Sequence, residues 1–216
     1  MQEVALIVAG GNGNRMNSNI PKQFLLLNGI PILMQTLKNF SHFHKIFLVL
    51  PSTQFEYWQE LCRIHEFTLQ HTLVAGGVSR FQSVKNGLDK IESNTILAIH
   101  DGVRPLVSRN LIDNLMSKTQ KGIGVIPILP VKDSLRKVEG EKSKQIDRSN
   151  LFKVQTPQCF LSDDIKEAYT QDYSVILTDD ASVFESNGGN ITTYLGEEKN
   201  LKITTEKDLK IASILI

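Results

Sequence analysis

Five apolar residues in a row, Val4-Ala5-Leu6-Ile7-Val8, run straight into the glycine-rich stretch Ala9-Gly10-Gly11-Asn12-Gly13-Asn14-Arg15-Met16. An unbroken apolar run of this length, ended by glycines, predicts a strand buried on both faces rather than one with a wet side. Similar runs recur at residues 46–50, at 96–99 and, interrupted by Gly124 and Pro127, at 123–129. Helical spacing lies between them. Phe55, Trp58, Leu61 or Cys62, and His65 share one face. Phe81, Val84, Leu88 and Ile91 share another behind an N-cap at Ser79. Leu111, Leu115 and Met116 mark a further helix. Strands alternating with helices imply right-handed crossovers and a mostly parallel sheet covered on both sides. The expected fold class is therefore α/β, as one domain over residues 1–216, which is length enough for a full core.

One segment breaks the alternation. Residues 139–149, Glu-Gly-Glu-Lys-Ser-Lys-Gln-Ile-Asp-Arg-Ser, are polar and lie between strand-like Ser134 to Val138 and Phe152 to Val154. This pattern predicts a protruding β-arm at about 134–154. The tail reads as a short strand from Leu201, then a helix started by Thr205 with Leu209, Ala212 and Leu215 facing inward.

Bulk charge excludes some partners. With 24 basic and 23 acidic side chains the net charge is +1, so no global field points to nucleic acid or to an anionic membrane. No run approaches the roughly 20 apolar residues that span a bilayer. The first apolar run is too short for a signal peptide. Cys62 and Cys159 fit no metal-ligand spacing and read as free thiols of a reducing compartment. A cytoplasmic location is the expectation.

The glycine stretch can turn backbone N–H groups toward a phosphate. It is not a P-loop, because no Lys-Ser/Thr follows. Nor is it a dinucleotide fingerprint, since Met16 stands where the third glycine belongs. It offers Arg15 at its end and Lys22 within Pro21-Lys22-Gln23, two permanent cations beside an anion cradle. That suits a triphosphate whose departing pyrophosphate gains negative charge.

Ligands of open parallel sheets bind beyond the carboxyl ends of the strands. Three unusual segments stand at such ends: the glycine loop, Gly76-Gly77-Val78-Ser79-Arg80-Phe81-Gln82-Ser83, and His100-Asp101-Gly102-Val103-Arg104-Pro105. In one crevice, Asp101 is placed to bind a metal or a substrate hydroxyl, and Arg104 to set the loop or meet a phosphate. His100 reads as a packed neighbour, because a nucleophilic phosphate needs no base at neutral pH. The remaining histidines show no ligand spacing.

In this order along nearly the whole chain, these motifs resemble the 2-C-methyl-D-erythritol 4-phosphate cytidylyltransferases of the non-mevalonate isoprenoid pathway. The resemblance continues through Asp147-Arg148, Thr156-Pro157-Gln158, Thr178-Asp179-Asp180-Ala181-Ser182 and Asn200-Leu201-Lys202-Ile203-Thr204. It implies a Rossmann-like nucleotidyltransferase fold and a homodimer held partly by the arm. It implies that Ala9, Gly10, Gly11, Asn12 and Gly13 cradle CTP, with Gly77 and Ser83 holding the nucleotide. Arg15 and Lys22 would stabilise the transition state. Arg148 and Lys202 would position the sugar phosphate, with Asp101, Arg104, Ser134, Thr156 and Thr178 nearby. Mg²⁺ would enter mainly on the CTP phosphates, with Asp101 as its one protein ligand. Departures from the commonest pattern are Gly10 for alanine, Gly102-Val103 for an Ala-Ala pair, Ser134 for threonine and Leu201 for isoleucine. They keep size or hydrogen-bonding type.

Two other readings stay open on the residues. A sister family uses D-ribitol 5-phosphate with similar motifs. A nucleotide-binding regulator could share the fold, although a binder needs no cation at the leaving group.

Overall fold

The computed structural model describes residues 1–10 and 20–216. The first half of the chain forms β1 (Gln2–Val8), the short pair β2 (Leu26–Leu27) and β3 (Ile30–Pro31), α1 (Ile32–Lys38), β4 (Lys45–Leu50) and α2 (Phe55–Ile64). It continues with β5 (Thr72–Ala75), α3 (Arg80–Leu88), β6 (Thr95–Asp101) and α4 (Arg109–Lys118). The second half forms β7 (Ile123–Pro130), β8 (Leu135–Glu139), β9 (Lys142–Ile146), β10 (Phe152–Val154) and β11 (Gln158–Leu161). Then follow α5 (Ser162–Ala168), α6 (Asp180–Ser186), β12 (Asn190–Leu195) and α7 (Glu206–Leu215).

The central sheet runs β10-β7-β11-β6-β1-β4-β5, and β12 also pairs with β7. Pairing is parallel between β1, β4, β5 and β6 and between β7 and β12. It is antiparallel where β10 and β11 return along β7 and β6. The chain is thus α/β with a mostly parallel sheet.

Side chains of a strand alternate between faces, and β1 shows why its run is unbroken. Ala5 and Ile7 join Leu48, Leu50 and Ala98 under Leu37, Trp58, Leu111 and Leu115 from α1, α2 and α4. Val4 and Leu6 join Phe47, Val49, Leu97 and Ile99 under Val84, Leu88, Ile165 and Phe184 from α3, α5 and α6. Each fully buried side chain of this kind contributes roughly 1.5–3 kcal/mol, so both faces must be apolar. At Gly87 a Cβ would stand 2.4 Å from Leu6 Cδ1. α3 therefore packs directly on β1, and this close approach sets where its N-terminus meets the sheet edge.

A third cluster fixes the tail. Leu27, Ile32, Val103, Leu106, Ile203 and Ala212 pack together, and the Ile203 amide donates to the Val103 carbonyl at 2.9 Å. Thr205 and Asp208 form a reciprocal cap that starts α7, satisfying two otherwise orphaned donors.

Four expectations change. Phe152 to Val154 is not the return strand of the arm: it pairs with β7 in the central sheet. The arm is the β8–β9 hairpin, register Leu135 to Ile146 through Glu139 to Lys142, so the return strand lies within the polar stretch. Both of its faces are wet, which removes the apolar alternation that marks a strand. Residues 201–204 form no strand, and Leu215 is exposed while Ala212 carries the contact. His65 caps α2 and does not extend its buried face.

Candidate active site

Beyond the carboxyl ends of β1, β4, β5 and β6 the chain opens into a cleft of about 640 Å³. That is within the usual range for a small-molecule site. Ala9 and Gly10 form one part of its floor, Pro51, Ser52 and Thr53 a wall, and Gly76 to Arg80 with Ser83 the opposite side. The Gly77 amide donates to Ser83 Oγ at 3.0 Å. A Cβ at Gly77 would stand 2.1 Å from Gln82 Cγ, so glycine is required for the loop to fold back on α3. Ser79 caps that helix by accepting from the Gln82 amide at 3.1 Å.

Lys22 and Lys202 both line the cleft. Lys22 begins a single 3-10 turn after Pro21. Its neighbour Gln23 is buried and donates to the Ala9 carbonyl at 3.2 Å and to Gln54 Oε1 at 2.8 Å. That amide anchors the turn to the end of β1 and keeps the lysine at the cleft. Lys202 follows from the third apolar cluster: with Ile203 packed inside, its neighbour projects the other way, and Nζ reaches Asp101 Oδ2 at 3.1 Å.

Asp101 ends β6 and is nearly buried. Arg104 Nε donates to the same Oδ2 at 3.0 Å, and Arg104 Nη1 donates to the Asn200 carbonyl at 2.9 Å. Burial alone would raise the Asp101 carboxyl; Lys202, Arg104 and Arg80 outweigh it and hold the group far below the ordinary carboxylate range. A connected chain of hydrogen bonds sets this end of β6. The Asp101 amide donates to Thr156 Oγ1 at 3.0 Å, and Thr156 Oγ1 lies 3.1 Å from His100 Nδ1. His100 Nε2 lies 3.1 Å from the Arg104 carbonyl. A carbonyl can only accept, so Nε2 carries the proton and Nδ1 accepts from the threonine. Burial lowers the His100 pKa to about 4. The ring is a neutral spacer.

A family model described as IspD, 2-C-methyl-D-erythritol 4-phosphate cytidylyltransferase, matches residues 3–216. The chain belongs to that family. An IspD relative named 2-C-methyl-D-erythritol 4-phosphate cytidylyltransferase from Azobacteroides pseudotrichonymphae is 48% identical, covering 100% of this chain and 99% of that protein. A relative of the same name from Porphyromonas gingivalis is 46% identical over 98% of this chain and 96% of its own. Among solved structures, the enzyme of that name from Thermus thermophilus superposes with a TM-score of 0.83 at 28% identity, covering 100% and 98% of the two chains. The Francisella tularensis IspD matches with a TM-score of 0.83 at 30% identity over 100% of both.

Of the residues expected at an IspD site, the cleft brings together Ala9, Gly10, Lys22, Gly77, Ser83, Asp101 and Lys202. Gly11, Asn12, Gly13 and Arg15 lie outside the described residues. Arg104 and Thr156 are buried beneath the cleft, with protein partners for their polar groups. Thr178 stands just before α6 and does not line the cleft. Ser134 and Arg148 are exposed at the base of the arm and also stand outside its lining.

Several contributors carry little or no mark in the sequence. Gln23 has a usable signal, a polar residue fixed between Pro21-Lys22 and a buried phenylalanine. Pro51, Ser52 and Thr53 have only their place at a strand end. Among the described residues no three His, Cys, Asp or Glu side chains stand close enough to hold a metal. No described helix is long and apolar enough to cross a membrane.

Proposed function

We propose that this chain transfers the cytidylyl group of CTP to 2-C-methyl-D-erythritol 4-phosphate and releases pyrophosphate. What carries the reading is the cleft itself. Backbone at Gly10 and Gly77 faces two lysines from opposite ends of the sequence, in a chain whose full-length relatives bear that name. A phosphate oxygen of the sugar alcohol attacks the α-phosphorus of CTP. The new P–O bond forms as the bond to the β-phosphate breaks.

Two polyanions must meet, so charge repulsion dominates the barrier. Lys22, beside the glycine floor, offsets charge on the nucleotide phosphates and on departing pyrophosphate. By its place in the family's motif, Arg15 would share this task. Lys202 meets the incoming phosphate and exchanges part of its pairing with Asp101 for it, a contribution of orientation. Arg104 and Thr156 act one layer down, keeping Asp101 in place.

Magnesium fits this site as a nucleotide-borne ion. The hexacoordinate cation keeps waters and needs only one or two carboxylates besides substrate phosphates, and Asp101 supplies one permanently ionised carboxylate at the cleft. Bound there, the ion would neutralise phosphate charge. The exposed arm supports a homodimer in which Arg148 and Ser134 serve the cleft of a second copy, since neither lines its own. Nothing in the near-zero net charge favours nucleic acid.

Pyrophosphate release tests the reading, crossing CTP and UTP with methylerythritol phosphate and ribitol 5-phosphate, with and without a chelator. The expected outcome is turnover with CTP and methylerythritol phosphate that stops on chelation and returns with Mg²⁺. Faster turnover with ribitol phosphate would move the chain's substrate to the sister reaction.

A further inference from the structure

The chain carries a buried carboxylate that the proposed chemistry does not use. Asp180, the first residue of α6, is fully buried. Arg80, the first residue of α3, grips it with both terminal nitrogens: Nη1 to Oδ1 at 2.8 Å and Nη2 to Oδ2 at 2.6 Å. Tyr169 adds its hydroxyl to Oδ1 at 2.6 Å, and its ring packs on Phe81 with centroids 4.6 Å apart. The pair joins positions one hundred apart in sequence.

The two aspartates of Thr178-Asp179-Asp180 are thereby separated in task. Asp179 accepts from the Ser182 amide at 2.9 Å and from Gln158 Nε2 at 2.8 Å, which caps α6 and ties it to β11. Asp180 faces the other way, toward α3. With α6 held at the sheet by its own cap, Asp180 is a fixed point, and Arg80 is what it fixes.

Arg80 lines the nucleotide cleft. With one bond from each terminal nitrogen held by a buried carboxylate, its charge is largely answered and its orientation fixed, which makes it a weaker phosphate ligand than an unpaired arginine. What the fork does control is the turn from Gly77 to Ser83, because Arg80 stands between the loop glycine and the serine that receives the Gly77 amide. We propose that Asp180 is a positioning residue for nucleotide binding, acting through Arg80 to hold the Gly77–Ser83 wall of the cleft in its binding shape. This rests on the reading of the cleft as a CTP site and deepens it.

An arginine fork bound to a carboxylate resists lysine substitution, because one ammonium cannot make two parallel bonds. Removing one partner of a buried pair also destabilises the fold, whereas removing both need not. These facts separate positioning from simple support. The experiment measures CTP affinity by calorimetry, KM for each substrate by pyrophosphate release, and melting temperature. It does so for wild type, D180N, R80K and the double variant R80M/D180N.

The expected result is that D180N and R80K each weaken CTP binding roughly tenfold or more, the scale of lost charge-assisted hydrogen bonds. KM for the sugar phosphate should change less than about twofold, because that substrate sits against other walls. The double variant should regain most of the melting temperature and none of the CTP affinity. CTP affinity that returns with stability in the double variant, or equal losses for both substrates, would overturn the inference by making the pair a strut only. If D180N does not fold, R80K decides alone, since it keeps the charge: unchanged CTP affinity there overturns the inference. Wild type that binds no CTP overturns the functional reading and this inference with it. Wild-type binding with an unaffected D180N overturns this inference alone.

Discussion

Lys202 Nζ stands 3.1 Å from Asp101 Oδ2, joining the last loop of the chain to the tip of β6 at the mouth of the cleft. Arg104 occupies the other side of that carboxylate oxygen at 3.0 Å. Asp101 therefore organises two cations, one buried and one half-exposed, and only the exposed one is available to an incoming anion. Removing the carboxylate should affect both. Asp101→Asn is expected to lower stability by about 3 kcal/mol, because Arg104 is left buried without its counter-charge. It should also cut kcat/KM by roughly 10²-fold. Denaturant titration and steady-state kinetics on one preparation check this. Stability equal to wild type would mean that Arg104 does not depend on Asp101.

The turn that carries Lys22 is anchored by the buried amide of Gln23. Lys22→Ala should leave the turn intact and lower kcat by roughly 10²-fold or more, the scale for loss of one electrostatic stabiliser. Gln23→Ala should lower activity while keeping the lysine, through lost placement. Near-wild-type turnover of the first variant would remove Lys22 from the mechanism.

The arm leaves Arg148 outside the lining of its own cleft. Arg148→Ala is expected to raise KM for the sugar phosphate with little change for CTP. At sugar-phosphate concentrations well below the raised KM, where Arg148→Ala and Lys202→Ala should each turn over slowly, mixing the two should restore activity. In a mixed dimer one cleft keeps its own lysine and receives an intact arm from the partner. Random reassortment then gives about a quarter of wild-type turnover. A mixture as inactive as its parts would mean that the arm serves its own cleft.

Acid should loosen the fold at two neutral histidines. His71 Nε2 accepts from the indole of Trp58 at 2.9 Å, and Nδ1 meets the Leu69 carbonyl at 2.7 Å, an arrangement open only to the uncharged ring. Burial lowers the His71 pKa and brings that of His100 to about 4, against 6.5 for a free histidine. Between those values the unfolded chain binds more protons than the folded one. Stability is thus complete above 6.5 and falls as the pH drops toward 4. Asp101 acts with the same sign lower still, contributing above its ordinary 3.8 and less below it. Urea titrations followed by the fluorescence of the chain's single tryptophan, Trp58, should give a lower midpoint at about pH 5 than at neutral pH. Equal midpoints would mean that neither ring is held neutral.

Much of this is legible in the residues. β1, β4 and β6 are buried on both faces, so their apolar runs have no gaps, and Ser79 caps α3 as its position suggests. The glycine pair at Gly76-Gly77 and the acid at Asp101 announce strand ends by composition alone. The return strand of the arm is hidden because Lys142 to Ile146 pairs with β8 while both faces meet solvent, leaving no hydrophobic period to read. β12 and α6 are equally faint. Thr192 and Thr193 break the apolar run of the first, and the second spends its opening residues on caps and an ion pair instead of on core contacts. Gln23 and Asp180 stand within quoted motifs, yet their tasks stay hidden for a related reason: the work of a buried polar side chain is defined by a partner far away in sequence.

The packing of Ala212 beside Ile203 has a consequence for how the chain becomes competent. Everything that builds the sheet is in place by Leu195, yet the lysine opposite Asp101 lies beyond it, on a segment docked through Asn200 and Ile203 and backed by the final helix at Ala212. Synthesis from the N-terminus thus yields a scaffold before it yields a catalyst. A chain cut at the end of β12 would contain every strand of the central sheet and lack that lysine.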